Sequence, residues 1–161
     1  MTKESRLLIG ALGWAVTGKN EELSLSVDWE VLLKLAKQHM LLPLLYDGLQ
    51  KADCLQEVPG EAAKIMEKAC IQAVCQDARR EYGRQKMESR LKELKIPYVF
   101  LKGSVLKYDY PVPALRTMCD MDILVHTEDY PAIEKIARDL QGEPGHSDGN
   151  HRNYRFTGGE N

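Results

Sequence analysis

The sequence predicts an α+β (α/β) chain, in which a helical N-terminal region, residues 1–95, precedes a smaller strand-and-helix portion, residues 96–161, built on a small mixed sheet. Three observations predict it. Apolar residues before Lys95 recur at helical spacing, most extensively over residues 61–95. Ile96-Pro97 then breaks that pattern, and short apolar runs at 97–101 and 120–125 take over. Between and within those runs fall a Gly-Ser pair and two aspartates one residue apart, which are chemistry-bearing types at strand ends.

The 161 residues, 43% hydrophobic and 29% charged, suffice for one ordinary core. A formal net charge of -2 carries no global signature of a nucleic-acid or membrane binder. No apolar run reaches bilayer-spanning length, and the first residues lead into an apolar segment without a small-residue cleavage site. A cytoplasmic protein with no membrane partner is therefore expected. Cys54, Cys70, Cys75 and Cys119 form no C-x-x-C pair and no zinc spacing, so they read as reduced thiols. His146 and His151 flank a Gly/Asp/Asn-rich turn, which reads as a surface loop rather than a metal site.

Taken in order, residues 5–16 read as a short helix interrupted near Gly10 and Gly13. Asp28 is an N-cap for a second helix, behind which Leu32, Leu35, Ala36, His39 and Met40 form one buried stripe. His39 thus reads as a core or interface histidine rather than a catalytic one. Pro43 restarts the chain as a helix through Leu44, Leu45 and Leu49, ending near Asp53. The run 61–95 carries Ile65, Met66, Ala69 and Ala73, and later Met87, Leu91 and Leu94. Gly83 costs about 1 kcal/mol relative to Ala, so a bend or a change of packing partner is expected there. Arg79, Arg80, Arg84, Lys86, Arg90, Lys92 and Lys95 are interleaved with Asp77, Glu81, Glu88 and Glu93, which favours a solvated helix face over a phosphate-binding one.

Pro97 opens the first strand, 97–101, where a missing N–H is tolerated. A Gly-Ser turn, a short helix over 105–108 and a Pro-rich loop over 110–113 follow. The next strand carries Asp120 and Asp122. Alternation along a strand puts both carboxylates on one side, with Met121, Ile123 and Val125 on the other. A helix over 129–141 has Pro131 in its first turn and a stripe of Ile133, Ile136, Ala137 and Leu140. Residues 142–150 read as a loop and 151–156 as a last strand. Gly158-Gly159 is a hairpin turn signal with no second strand behind it.

The chemistry gathers at two places. In Lys102-Gly103-Ser104, a glycine at a strand–helix junction lets the backbone approach a ligand, Ser104 adds a hydroxyl donor and Lys102 a charge. Asp120 and Asp122 repel one another unless something positive lies between them, and Mg²⁺ (or Mn²⁺) is a hard cation that shares oxygen ligands with substrate phosphates. Together they make a phosphate cradle and a divalent-metal seat, which is what phosphoryl or nucleotidyl transfer requires. Arg116 either neutralises charge developing on the phosphates or pairs with one of the aspartates.

Phe100-Leu-Lys-Gly-Ser104, Tyr110-Pro-Val-Pro-Ala-Leu-Arg116 and Met118-Cys-Asp-Met-Asp-Ile-Leu-Val125 resemble the signature of the uncharacterised nucleotidyltransferase family, within the DNA polymerase β-like nucleotidyltransferase superfamily. His39-Met-Leu-Leu-Pro-Leu-Leu-Tyr46 also resembles that family's helical N-terminal region. The resemblance implies a polymerase β-like core at 96–161. It also implies triphosphate binding at Gly103 and Ser104, and Mg²⁺ binding at Asp120 and Asp122. Lys102 and Arg116 match the motif without a defined role. The implied reaction is transfer of a nucleoside monophosphate from an NTP, ATP first among them, to a hydroxyl or phosphate of a protein, RNA, sugar or small molecule.

The superfamily places a third carboxylate on a later strand, and this sequence stops at the turn where such an arm would begin. Glu160 is the one acid near that turn. The expectation is a core incomplete at its C-terminal edge, either a fragment or a short form with little turnover. Two other readings stay open: a non-catalytic nucleotide-binding module of the same fold, and a helical, antitoxin-like interaction protein using the basic half of the long helix.

Overall fold

The computed structural model describes residues 1–19, 22–149 and 151–156. The architecture is α+β: six α-helices, four short 3-10 helices and four short strands among the described residues. The chain forms two compact units, residues 1–77 with 106–119, and residues 78–105 with 120–161.

In the first unit, α1 (Lys3–Thr17) starts where the Thr2 side chain accepts from the Ser5 N–H, and it ends at Gly18, whose φ of 67° suits glycine. The expected interruption at Gly10 and Gly13 does not occur. Leu7, Leu8, Ala11 and Ala15 are all buried, and that burial outweighs the propensity cost of two glycines. In α2 (Trp29–Gln38) the Asp28 carboxylate accepts from the N–H groups of Glu30 and Val31, and Leu32 and Ala36 are buried. His39 and Met40 depart from expectation, for both are exposed. The helix ends at Gln38 and Met40 takes a φ of 56°, so the positions seven and eight beyond Leu32 leave the stripe.

Pro43 sits in the first turn of α3 (Leu42–Lys51), whose Leu45 and Leu49 join Leu7, Leu8, Ala11, Leu32, Ala36, Val58, Ala62 and Met66 in one core. Gly48 of α3 is the point of closest approach to α1. A Cβ there would lie 1.9 Å from the Ala11 carbonyl oxygen.

The long helix α4 (Gly60–Glu93) runs unbroken through Gly83. Its partners do change: Ala62 and Met66 belong to the first core, Met87 and Leu91 to the second. Ile65, one of the apolar residues of that run, is exposed. Segment 106–119 completes the first unit. Leu115 is buried with Ala15 and Leu44, the Lys107 ammonium lies 2.8 Å from Asp77 Oδ1, and the Thr117 hydroxyl donates to the Met40 carbonyl.

The second unit pairs β1 (Tyr98–Leu101) with β2 (Asp122–Val125), antiparallel, in the register Tyr98↔Val125 to Leu101↔Asp122. Lys102 and the one-turn α5 (Gly103–Leu106) follow β1. Met87, Leu91, Ile96 and Ile136 form the core, with Tyr98, Ile123, Val125, Ile133 and Leu140 packed on it. Ile136 belongs to α6 (Tyr130–Asp139), which has Pro131 in its first turn as expected.

The described strands form two antiparallel pairs rather than one mixed sheet. A parallel pair needs a crossover of a dozen or more residues, usually a helix, packed on the sheet. Here residues 106–119 of the β1–β2 connection belong to the first unit. The expected loop over 142–150 also changes: β3 (Gly142–Pro144) pairs with β4 (Tyr154–Phe156). Gly142 is buried, and a Cβ on it would lie 2.7 Å from the Phe156 ring. A strand reading Gly-Glu-Pro has neither alternation nor β-formers, which hides it in the sequence. The partner of β4 thus precedes it. The Gly158-Gly159 signal and Glu160 lie outside the described residues.

Among the described residues, no helix is long and apolar enough to cross a membrane. All four cysteines are free, and partial burial pushes the Cys70 thiol up to about 11.

Candidate functional site

The strand register builds the site. Leu101↔Asp122 is the last pair of the β1–β2 ladder, so the residue after β1 emerges beside the first residue of β2. That residue, Lys102, has a φ of 49°, in the left-handed region that residues with a Cβ rarely adopt. From this backbone its ammonium lies 2.9 Å from Asp122 Oδ2. The lysine side chain is 74% exposed and the aspartate 26%. The hydrogen bond to Asp122, then the Asp122 charge and finally the charge of Asp120 raise the Lys102 pKa. A positive group therefore already stands at Asp122.

Asp122 opens β2, whereas Asp120 precedes it and is exposed. The expected strand through both aspartates is thus shorter, and alternation alone does not align them. Ile123 and Val125 face the core as expected, with Leu124 on the opposite, exposed side.

Gly103 and Ser104 form the first turn of α5 rather than a turn ahead of a helix over 105–108. Lys102, not glycine, makes the left-handed turn out of the strand. Ser104 is 5% exposed, and its hydroxyl oxygen is buried without a hydrogen-bond partner. An unmade hydrogen bond of this kind costs about 1–3 kcal/mol. Arg116 belongs to the first unit, on segment 106–119, where its guanidinium lies 5.8 Å from the centre of the Tyr110 ring. Of the residues singled out from the sequence, Lys102 and Asp122 touch, Asp120 acts on the same ammonium, and Gly103-Ser104 continue directly from it.

The support for β1 was not foreseen. The Tyr98 hydroxyl donates to Glu88 Oε1 at 2.8 Å, and the Arg84 guanidinium lies 5.3 Å from the centre of the Phe100 ring. Arg84 also bridges Glu81 and Glu88 at 2.7 Å each, and Lys92 pairs with Glu88. The interleaved charges read from α4 as a solvated face are thus in part a brace for the site strand. The one available signal was the spacing of Glu81, Arg84 and Glu88 on one helix face.

Among the described residues, no group of three or more His, Cys, Asp or Glu is placed to hold a metal ion. Two carboxylates are nonetheless a donor set that Mg²⁺ accepts when waters and substrate phosphates complete its shell. The Lys102 ammonium is paired with one of the two, Asp122. The donors fit a metal shared with a polyanionic substrate, and not an all-protein cage.

The model of a family described as "Uncharacterised nucleotidyltransferase" matches residues 26–159. No curated protein and no solved structure matches the chain.

Proposed function

The chain belongs to the uncharacterised nucleotidyltransferase family, and on that premise we propose that it transfers a nucleoside monophosphate from an NTP, ATP first among them, to an acceptor hydroxyl or phosphate. The supporting observation is the cation-bearing carboxylate Asp122 at the end of the β1–β2 ladder, with Asp120 two residues away and Gly103-Ser104 adjoining. In this reading residues 96–161 carry the chemistry, and the helical region 1–95 supports them in a cytoplasmic protein. Asp120 and Asp122 hold Mg²⁺ (or Mn²⁺). When bound, the ion neutralises triphosphate oxygens and lowers the pKa of the acceptor hydroxyl. The Gly103 backbone and the Ser104 hydroxyl hold the triphosphate, and Lys102 supplies positive charge to it. The acceptor oxygen forms a bond to the α-phosphorus, a hydroxyl acceptor passing its proton to water, while the bond to the α,β-bridging oxygen breaks and pyrophosphate leaves with that electron pair.

The test is Mg²⁺·ATP binding by calorimetry together with pyrophosphate release, in the parent and in Asp120→Asn. The variant is expected to lose about tenfold or more in affinity, the scale on which metal sites respond to altered ligation. Equal binding by the two proteins would overturn the site assignment. Binding without pyrophosphate release across protein, RNA, sugar and small-molecule acceptors would instead support a nucleotide-binding module.

A further inference from the structure

Lys102 occupies the place in the chain where a glycine would be at ease. The exit from β1 requires a φ of 49°, and a glycine stands one residue later. Met40, Asp53, Lys95 and Gln141 share that left-handed backbone, and what sets Lys102 apart is the carboxylate its side chain reaches. The side chain goes to Asp122, at 2.9 Å, in a position fixed by the Leu101↔Asp122 register rather than by a long flexible reach across the surface. The contact is also open to water, because the lysine is 74% exposed. An exposed ion pair of this type is weak and exchangeable, and a doubly charged ion competes for the carboxylate on better Coulombic terms than a single ammonium.

We infer that Lys102 is a resident counter-cation of the Asp120/Asp122 site, displaced from Asp122 by the incoming divalent ion and thereby released to pair with the polyphosphate of the substrate. The inference rests on the reading of the two aspartates as metal ligands. It assigns Lys102 two opposite effects. On the metal alone it acts as a competitor. On the metal–polyphosphate complex it acts as a partner, so that metal and anion binding are coupled through one side chain.

The test uses Mn²⁺, whose free form is read directly by electron paramagnetic resonance, with inorganic tripolyphosphate as the anion. Parent, Lys102→Met, Lys102→Gly and Asp122→Asn proteins are titrated with Mn²⁺ alone and then with Mn²⁺ plus tripolyphosphate. Both Lys102 variants are expected to bind Mn²⁺ alone about three- to tenfold more tightly than the parent, the range for losing one exposed charge close to the ion. Both are expected to bind the Mn²⁺–tripolyphosphate complex more weakly than the parent. Asp122→Asn should lose Mn²⁺ binding. Parent binding that depends on Asp122 but is unchanged or weakened in the Lys102 variants would overturn the inference and leave the metal reading intact. Tightening in Lys102→Gly alone would trace the effect to the backbone and overturn it as well. Absence of Asp122-dependent Mn²⁺ binding in every protein would overturn both. The glycine variant, which relieves the backbone, guards against loss of folding in the methionine one.

Discussion

Tyr98 and Glu88 are joined by a 2.8 Å hydrogen bond in which the phenol donates to the carboxylate, tying the first residue of β1 to the C-terminal half of α4. Lys92 and Arg84 also reach Glu88, each at 2.7 Å. The Lys92 and Tyr98 hydrogen bonds together hold the Glu88 carboxyl down at about 2, against its ordinary 4.5. A carboxyl with a depressed folded-state pKa stabilises the fold above its unfolded pKa and ceases to do so as pH falls through the folded one. The contribution of Glu88 is therefore complete above about pH 4.5 and lost progressively down to about pH 2. After solvent screening it is on the order of 1 kcal/mol. Urea unfolding at pH 7, 4 and 3 should show Glu88→Gln less stable than the parent at pH 7. The gap should narrow steadily with acid, and a constant gap would remove Glu88 as its source.

Ser104 separates fold from function in one side chain. Its buried hydroxyl makes no hydrogen bond, so Ser104→Ala removes a polar group that folding has desolvated without return. The variant is expected to be as stable as the parent or more stable, by up to about 1 kcal/mol in urea unfolding. Under the proposed function it should bind Mg²⁺·ATP more weakly. A destabilised Ser104→Ala would mean that the hydroxyl is satisfied in solution, and unchanged ATP affinity would remove it from the site.

Most of the helical framework was legible because its signals are local. Asp28 caps α2, Leu44, Leu45 and Leu49 bury one face of α3, and Ile136 and Ala137 define the inner face of α6. The failures lie where a distant partner decides. His39 sits at the right spacing for the α2 stripe, but the helix ends one residue too early. β3 is a strand only because Phe156 packs over Gly142 and the chain returns to pair with it. At the site, Lys102 and Asp122 each stand out by residue type. That they touch depends on the β1–β2 register, which no local pattern encodes. The sequence points to a metal ion or Arg116 for the positive charge that the paired carboxylates call for, while in the structure Lys102 supplies it to Asp122.

The connection between the two halves of the motif is anchored by a buried ion pair, Lys107–Asp77, at 2.8 Å. The two ends differ in their access to water: the lysine side chain is 4% exposed and the aspartate 18%. Removing one partner of a buried pair leaves the other charge without compensation, and the cost follows how deeply that remaining charge lies. Asp77→Asn takes the carboxylate from an ammonium that water barely reaches and leaves it beside the Tyr108 ring, whose centre is 5.1 Å away, and should cost about 3 kcal/mol. Lys107→Met leaves a carboxylate that water does reach, so about half of that is expected. The double variant Asp77→Leu with Lys107→Met has no buried charge and should recover much of the loss, which a double-mutant cycle in urea would measure. Equal costs for the two single variants would show that both charges are hydrated alike. A double variant no better than Asp77→Asn would mean that the pair holds segment 106–119 by geometry and not by charge.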